Sequence, residues 1–414
     1  MEQNKNIPQG YKDSPLGIIP QEWEVKRLGD IANIDEKSLN SQTLNDYEFD
    51  YISLSDVDSE DFKIETTKQI FKTAPSRARR IVTKGDILMS TVRPNLQGFS
   101  IIKNEVENLI ASTGFAVISP FKGVSEYLFM VIFSQSISRQ FHQLLVGSNY
   151  PAINSKDVKR LKILSPPLPE QQKIAEILTC WDAAIEKQTQ LIEKLETRKR
   201  GLMQQLLTGK KRLKGFEGEW QIVELRSLFD EVVESNNNQT HEIMTISAKL
   251  GLISQKEKFD RIIAGDSLKK YTLLKEGDFA YNKGNSNLYE MGCIYQLEKI
   301  KSALVPFVYI CFRPTNKCFS TFYKHWFQNH GLDRQLKRII TSGARGDGLL
   351  NVNNKDFFSL LLPYPSLAEQ TAIANILSAA DDEIGKEKGK LAALRSQKKG
   401  LMQVLLTGKK RVKI

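Results

Sequence analysis

Two stretches of the chain place apolar residues at alternating steps of four and three. In the first, Ile174, Leu178, Trp181, Ile185, Ile192, Leu195, Leu202 and Leu206 follow the pattern, with Gln188 and Lys199 as its polar exceptions. In the second, Ile373, Leu377, Ala380, Ile384, Leu391, Leu394, Leu401 and Leu405 follow it, and Glu387 and Lys398 are polar. A heptad-type period held this long predicts a helix that buries a seam against another helix, rather than a generic amphipathic face. Pro166, Pro167 and Pro169 precede the first stretch and Pro363 and Pro365 the second, and proline is tolerated at a helix start. Gly209 and Gly408 can close the C-termini, each followed by Lys-Lys-Arg to complement the dipole. Each helix would run ~40 residues, or ~60 Å at the usual rise.

The intervening blocks mix both periods. "DILMSTV" (Asp86 to Val92) and "GFAVISP" (Gly114 to Pro120) predict strands, while Ser125 to Leu145 and Ser320 to Ile340 predict helices with aromatic faces. Each block has about 150 residues, enough to bury a core of its own.

The two helices are copies of each other. "GLMQQLLTGKKR" (Gly201 to Arg212) recurs as "GLMQVLLTGKKR" (Gly400 to Arg411), displaced by 199 residues, and 22 of the 43 residues from 170 to 212 are identical at that displacement. Sparse anchors persist elsewhere in the same order. Glu22-Trp23 is answered by Glu219-Trp220, Gly85-Asp86 by Gly277-Asp278, and Asn154-x-Lys156-Asp157 by Asn353-x-Lys355-Asp356. The layout is therefore block (1–164), helix (165–214), block (215–362), helix (363–414). Domain termini often lie close together. The second helix then starts where the first stops, so the pair runs antiparallel with pseudo-two-fold symmetry. The fold class is α+β: two globular domains alternating with two long helices in an antiparallel coiled coil.

Composition adds limits. In 414 residues, 41% are hydrophobic and 26% charged, as in folded globular proteins. The longest apolar runs, Tyr127 to Phe133 and Ala303 to Phe312, fall short of the ~20 residues that cross a bilayer. The N-terminus lacks a signal pattern, so a cytoplasmic location is expected. Cys180, Cys293, Cys311 and Cys318 form no CxxC pair and are expected to be reduced, mostly buried thiols. The net charge of +11 hints at a polyanionic partner. The surplus sits in the two helical segments, however, and the blocks are close to neutral.

Candidate contacts with nucleic acid are therefore local. "SRARR" supplies Arg77, Arg79 and Arg80; "TVRPNLQG" supplies Arg93, Asn95 and Gln97. In the second block "YNKGNSNLYE" supplies Lys283, Asn285, Asn287 and Tyr289. "GSNYPAIN", with Asn149 and Tyr150, corresponds between blocks to "SGARGDG", with Arg345. Arginine suits guanine and asparagine or glutamine suits adenine in the major groove, while lysine suits phosphate. The bland alternative for each is a solvated loop. Each Lys-Lys-Arg reads as a helix-end cluster or a phosphate contact.

Catalytic signatures are missing. "TGKKR" lacks the earlier glycine of a phosphate loop, there is no methyl-donor loop or aromatic methyltransferase tetrad, and no Pro-Asp opens a nuclease motif. His142, His241, His325 and His330 have no metal-ligand spacing, so no metal and no catalytic residue is assigned.

Two divergent blocks alternating with near-identical helices, which begin "PLPEQQKIAEIL" and end "GLMQQLLTGKKR", resemble the specificity subunits of Type I restriction–modification systems. The resemblance in layout covers the whole chain, and "KGDIL" and "EGDFAYNKGNSN" are similar to pieces of target recognition domains. It implies a non-catalytic subunit in which each block reads one half of an asymmetric bipartite DNA site. The helices would set the gap and dock two adenine-methyltransferase (modification) subunits carrying S-adenosylmethionine, and motor-nuclease subunits would add restriction. A coiled-coil adaptor without DNA readout is the alternative, and salt-dependent, sequence-selective binding separates the two. Methyl transfer or cleavage by the chain alone would instead mark a stand-alone enzyme.

Overall fold

A computed structural model describes residues 7–58, 62–145, 152–236, 241–259, 265–284, 289–340 and 350–414. The chain divides into two compact units, Met1–Gln190 with Lys388–Ile414, and Leu191–Glu387. Each unit thus owns one block, the first part of the helix that follows it and part of the other helix.

In the first unit, two four-stranded sheets carry the block. One runs Thr67–Ile70, Glu48–Ile52, Leu109–Ser112, Ala78–Ile81, and the other Ala32–Ile34, Phe115–Pro120, Ile87–Ser90, Phe99–Ile101. The second unit repeats both strand orders. They are Gly251–Ser254, Glu242–Ser247, Ser302–Val305, Thr272–Lys275, and Phe229–Glu231, Ile310–Pro314, Phe279–Asn282, Cys293–Gln296. A parallel pairing recurs as well, Leu109–Ser112 on Glu48–Ile52 and Ser302–Val305 on Glu242–Ser247. Four-residue strands such as Ile87–Ser90 are buried along their whole length, as expected where both faces of a strand are covered.

The segments predicted as single helices are each broken in two. Ser125–Val131 gives way to Gln135–Leu144, where Ser134 accepts a hydrogen bond from the Ile137 N–H and so caps a new start. Ser320–Gln328 gives way to Asp333–Ile339 across His330, whose φ of 60° no helix tolerates. The break lets one aromatic run wrap a corner of the core. In the second unit Phe229, Phe279, Phe312 and Tyr323 pack there, with Phe279 stacked on Phe312 at 5.3 Å; such pairs add ~0.5–1.5 kcal/mol beyond burial.

Each block returns to its own beginning. Glu24–Arg27 pairs antiparallel with Lys162–Ser165, and Gln221–Glu224 with Leu361–Tyr364. The long helices, Leu168–Leu206 and Leu367–Leu405, start immediately after those returning strands. Lys211 and Lys410 N–H groups reach back to the Gln205 and Val404 carbonyls past Gly209 and Gly408, which adopt φ of 69° and 70°.

A clamp made twice fastens block to helices. Buried Glu170 accepts hydrogen bonds from Trp23 Nε1 at 2.9 Å and from Arg411 Nε and Nη2 at 2.6 and 2.9 Å. In the second unit buried Glu369 accepts from Trp220 Nε1 at 3.0 Å and from Arg212 Nε and Nη2, both at 2.7 Å. The neighbouring glutamines also work in parallel. Gln171 holds the Pro166 carbonyl and the Val124 N–H, and Gln370 the Pro365 carbonyl and the Phe319 N–H. The arginines of the Lys-Lys-Arg clusters therefore hold the helix ends, in line with the first of the two readings given above for Arg212 and Arg411. Because each arginine ends one helix and each glutamate begins the other, the helices run antiparallel within each unit.

The heptad stripe divides by depth. Ile174, Leu178 and Leu405 join the core of the first block, with Leu401 packed on it, and Leu206, Ile373 and Leu377 join that of the second, with Leu202 packed on it. Between these ends Ile192, Leu195 and Ile384 are buried, while Trp181, Ile185, Leu391 and Leu394 are half-buried. The two lysines among the polar exceptions each find a carboxylate. Lys199 donates to Asp381 at 2.5 Å, and Lys398, its copy, donates to Asp182 and lies 5.8 Å over the Phe62 ring.

Candidate nucleic-acid interface

The Gly-Asp anchors are turns. Asp86 N–H returns to the Thr83 carbonyl at 3.1 Å, and Asp278 N–H to the Lys275 carbonyl at 3.0 Å. The preceding glycines, at φ of 88° and 96°, supply the left-handed residue that such a turn demands. Each aspartate then accepts from the N–H three residues earlier, Thr83 or Lys275, at 2.7 and 2.8 Å. Asp278 also receives Arg313 Nε and Nη2, both at 2.7 Å. Those bonds hold the Arg313 guanidinium above its ordinary pKa, and hydrogen bonds from Arg313 and Lys275 lower that of Glu234. These groups stiffen a turn and do not form a reactive centre.

Five residues beyond each aspartate the chain reaches an exposed edge. In the first unit Thr91 N–H and Oγ1 both donate to the Gly114 carbonyl, at 2.9 and 2.8 Å, and the Thr91 carbonyl accepts from Ile153 N–H at 2.9 Å. Val92 bridges Ala152. Next to Gly114, Thr113 N–H donates to the Arg77 carbonyl at 2.8 Å. Three candidate segments far apart in sequence, around 77, 91–97 and 152, therefore meet at one edge. In the second unit Lys283 holds the place of Thr91. Its carbonyl accepts from Leu350 N–H at 2.9 Å and its Nζ reaches the Val352 carbonyl at 3.5 Å.

The loop at that edge carries backbone strain. Pro94–Leu96 forms one 3-10 turn flanked by Arg93 and Gln97, both left-handed at φ of 50° and 54°. Non-glycine residues in that region cost ~1–2 kcal/mol each and recur where a ligand is gripped. Arg93, Asn95 and Arg77 are exposed and Gln97 is half-buried. Arg79 folds back onto the Ala78 carbonyl at 2.7 Å and over the Phe71 ring at 4.7 Å. Arg80 pairs with Asp35 at 3.1 Å and donates to Ser38 Oγ at 3.2 Å. Tyr289 stacks on His330 at 4.8 Å. Asn149, Tyr150, Asn285, Asn287 and Arg345 lie outside the described residues.

Burial raises the thiols of Cys293 to about 11 and of Cys311 and Cys318 to about 12, while Cys180 is exposed. Burial, helped by the Lys199 charge, lowers His325 to about 4, and its Nε2 lies 3.3 Å from Ser378 Oγ. Among the described residues no cluster of His, Cys, Asp or Glu could hold a metal ion, and no helix is long and apolar enough to cross a membrane. The clamp residues escaped sequence reasoning as functional groups, although their signal, the matched Glu-Trp, Glu-Gln and terminal Arg, stood in the repeat.

Comparison with known proteins agrees with the duplicated layout. The model of the Type I restriction modification DNA specificity domain matches residues 20–197 and again 218–396. The MjaVIII type I restriction enzyme specificity subunit of Methanocaldococcus jannaschii is 24% identical, over 98% of this chain and 98% of its own. The HindI specificity subunit of Haemophilus influenzae is 29% identical over 42% of this chain and 38% of its own. Among solved structures, a chain from work on complex assembly and conformational transition of the type I R-M system superposes with a TM-score of 0.60 at 20% identity, covering 95% of this chain and 99% of that one. The type I S subunit from M. genitalium gives 0.56 at 14% identity, covering 98% of each. These two share the fold.

Proposed function

Because the chain belongs to the Type I restriction modification DNA specificity family, we propose that its two blocks read the two unlike halves of one bipartite duplex site. The chain is the specificity subunit, non-catalytic, and DNA recognition is its task. The paired helices set the gap between the halves and dock two modification subunits, which bring S-adenosylmethionine and methylate adenine. Motor-nuclease subunits complete restriction, in the cytoplasm.

One observation carries the reading. The same strand orders occur twice, and in both the residue five places past the Gly-Asp aspartate accepts from a later segment, yet the side chains at the two edges differ: Arg77, Arg93 and Asn95 in one, Lys283 in the other. A repeated frame with different tips suits half-sites of different sequence, since phosphate contacts position a protein and base edges specify it.

The test is co-expression with the modification subunit in a methylation-free host, followed by genome-wide mapping of N6-methyladenine. A split motif with unlike halves and a fixed gap is expected. Inserting four residues into both long helices adds about 6 Å of helix to each, and should alter the gap while leaving both halves unchanged. A gap that stays the same in that variant refutes the spacer role.

A further inference from the structure

Phe307 is a large apolar side chain, 55% exposed, on the turn Pro306 to Tyr309 that follows the strand Ser302–Val305. Its place becomes meaningful when the two blocks are aligned by backbone pairing instead of sequence. Ser38 bridges Arg80 in the first block, and Ser235 bridges Thr272 in the second. One residue along, Leu39 N–H donates to the Arg79 carbonyl and Asn236 N–H to the Tyr271 carbonyl. Arg80 thus corresponds to Thr272. Just before it the first block carries a one-residue bulge, and the turn that leads in is shared: Ala78 N–H donates to the Pro75 carbonyl and Tyr271 N–H to the Leu268 carbonyl, which sets Arg77 against Lys270 and Ser76 against Lys269. Lys269 and Lys270 are both exposed. The turn beside them corresponds too. Thr113-Gly114 leads into the strand on which Ala116 pairs with Met89, three residues past Asp86, and Pro306 to Tyr309 leads into the strand on which Ile310 pairs with Tyr281, three residues past Asp278.

We infer that Lys269, Lys270 and Phe307 form a DNA contact of the second block. The inference rests on the duplex-reading function above and names residues for it. Two exposed lysines are suited to phosphates. An exposed phenylalanine at the same edge suits the thymine methyl, the one apolar group a base pair presents in the major groove. A basic cluster at this edge therefore exists in both blocks, as arginine in one and lysine in the other. The direct sequence repeat does not show it, because no residue here is identical between the copies.

The test uses the complete complex with its modification subunits, after the wild-type split motif has been mapped. Phe307→Ala should relax an A·T position in one half of the motif and weaken binding to a duplex carrying that motif roughly tenfold, as loss of one base contact does. Phe307→Leu, which keeps an apolar tip, should retain the motif. Lys269→Ala with Lys270→Ala should weaken binding to all duplexes alike and flatten the salt dependence of log K by about 2. The other half and the gap should stay fixed in every variant. An unchanged motif and salt slope overturns the assignment, as does loss of subunit assembly in Phe307→Ala, which would make the residue a protein contact. A wild-type complex with no split motif would overturn the parent reading, and that outcome is visible before any variant is made.

Discussion

Arg411→Ala tests the clamp that joins the first block to the end of the second long helix. Glu170 is fully buried, and its two oxygens are held by Arg411 at 2.6 and 2.9 Å and by Trp23 at 2.9 Å. Removing the guanidinium leaves a buried carboxylate with one neutral donor, and breaking a buried pair this way costs ~3–5 kcal/mol. The Arg411 side chain is 34% exposed, so water can partly replace it and a cost at or just below the bottom of that range, about 2–3 kcal/mol, is expected. Its second partner, exposed Glu22 at 2.7 Å, contributes little. For a unit of this size each kcal/mol shifts Tm by ~2–4 °C, giving a fall of roughly 5–10 °C. Differential scanning calorimetry measures it, and Arg212→Ala should act likewise through Glu369. Adding Glu170→Gln to Arg411→Ala removes the stranded charge and should restore about 1 kcal/mol or more. A single variant within about 0.5 kcal/mol of wild type, or a double variant no better than the single, would refute the reasoning.

Two further outcomes follow from buried and open positions. His325 is depressed to about 4, so from about pH 6.5 downward the unfolded chain takes up a proton that the folded one refuses. Stability is held above that range and lost as pH falls toward 4, by up to roughly 3 kcal/mol. Thermal melts at pH 7.5 and 5 should show the loss. His325→Phe should flatten it, because Phe129 holds the matching place in the first block, two residues past the tyrosine that bonds the returning strand; an equal slope in both proteins would sink this account. Gly385 sits inside the second long helix with nothing within 4 Å of where a Cβ would stand. Gly385→Ala should therefore stabilise by about 0.5–1 kcal/mol in the same melts, and a loss would show that the position needs glycine.

The long helices were legible because their cause is local and periodic. A stripe repeated from Ile174 to Leu206 and from Ile373 to Leu405 is written in every turn, and the ends carry proline and glycine where helix starts and stops require them. The duplication was equally readable, from identity, and the return of the second block to its own beginning was expected because domain termini often lie close together. The edge was only half readable: the segments around Arg77 and Arg93 were found singly, and nothing in their spacing shows that Thr113 and Gly114 draw them together.

Tertiary structure decided which charges are free. By composition Arg80, Arg212 and Arg411 are as basic as Arg77, yet Asp35, Glu369 and Glu170 engage them. Those carboxylates lie 45, 157 and 241 residues away, so no window along the chain can pair them. Lys269 and Lys270 were invisible for the converse reason. Their correspondence with Ser76 and Arg77 is carried by a matching turn and the strand pairing that follows it, which persist while side chains diverge, because backbone hydrogen bonds do not depend on which side chain projects from the chain. The sequence alone determined the periodic framework and its repetition. Which residues that framework buries in clamps, and which it leaves at the edge to meet a partner, follows from long-range burial that only the folded chain creates.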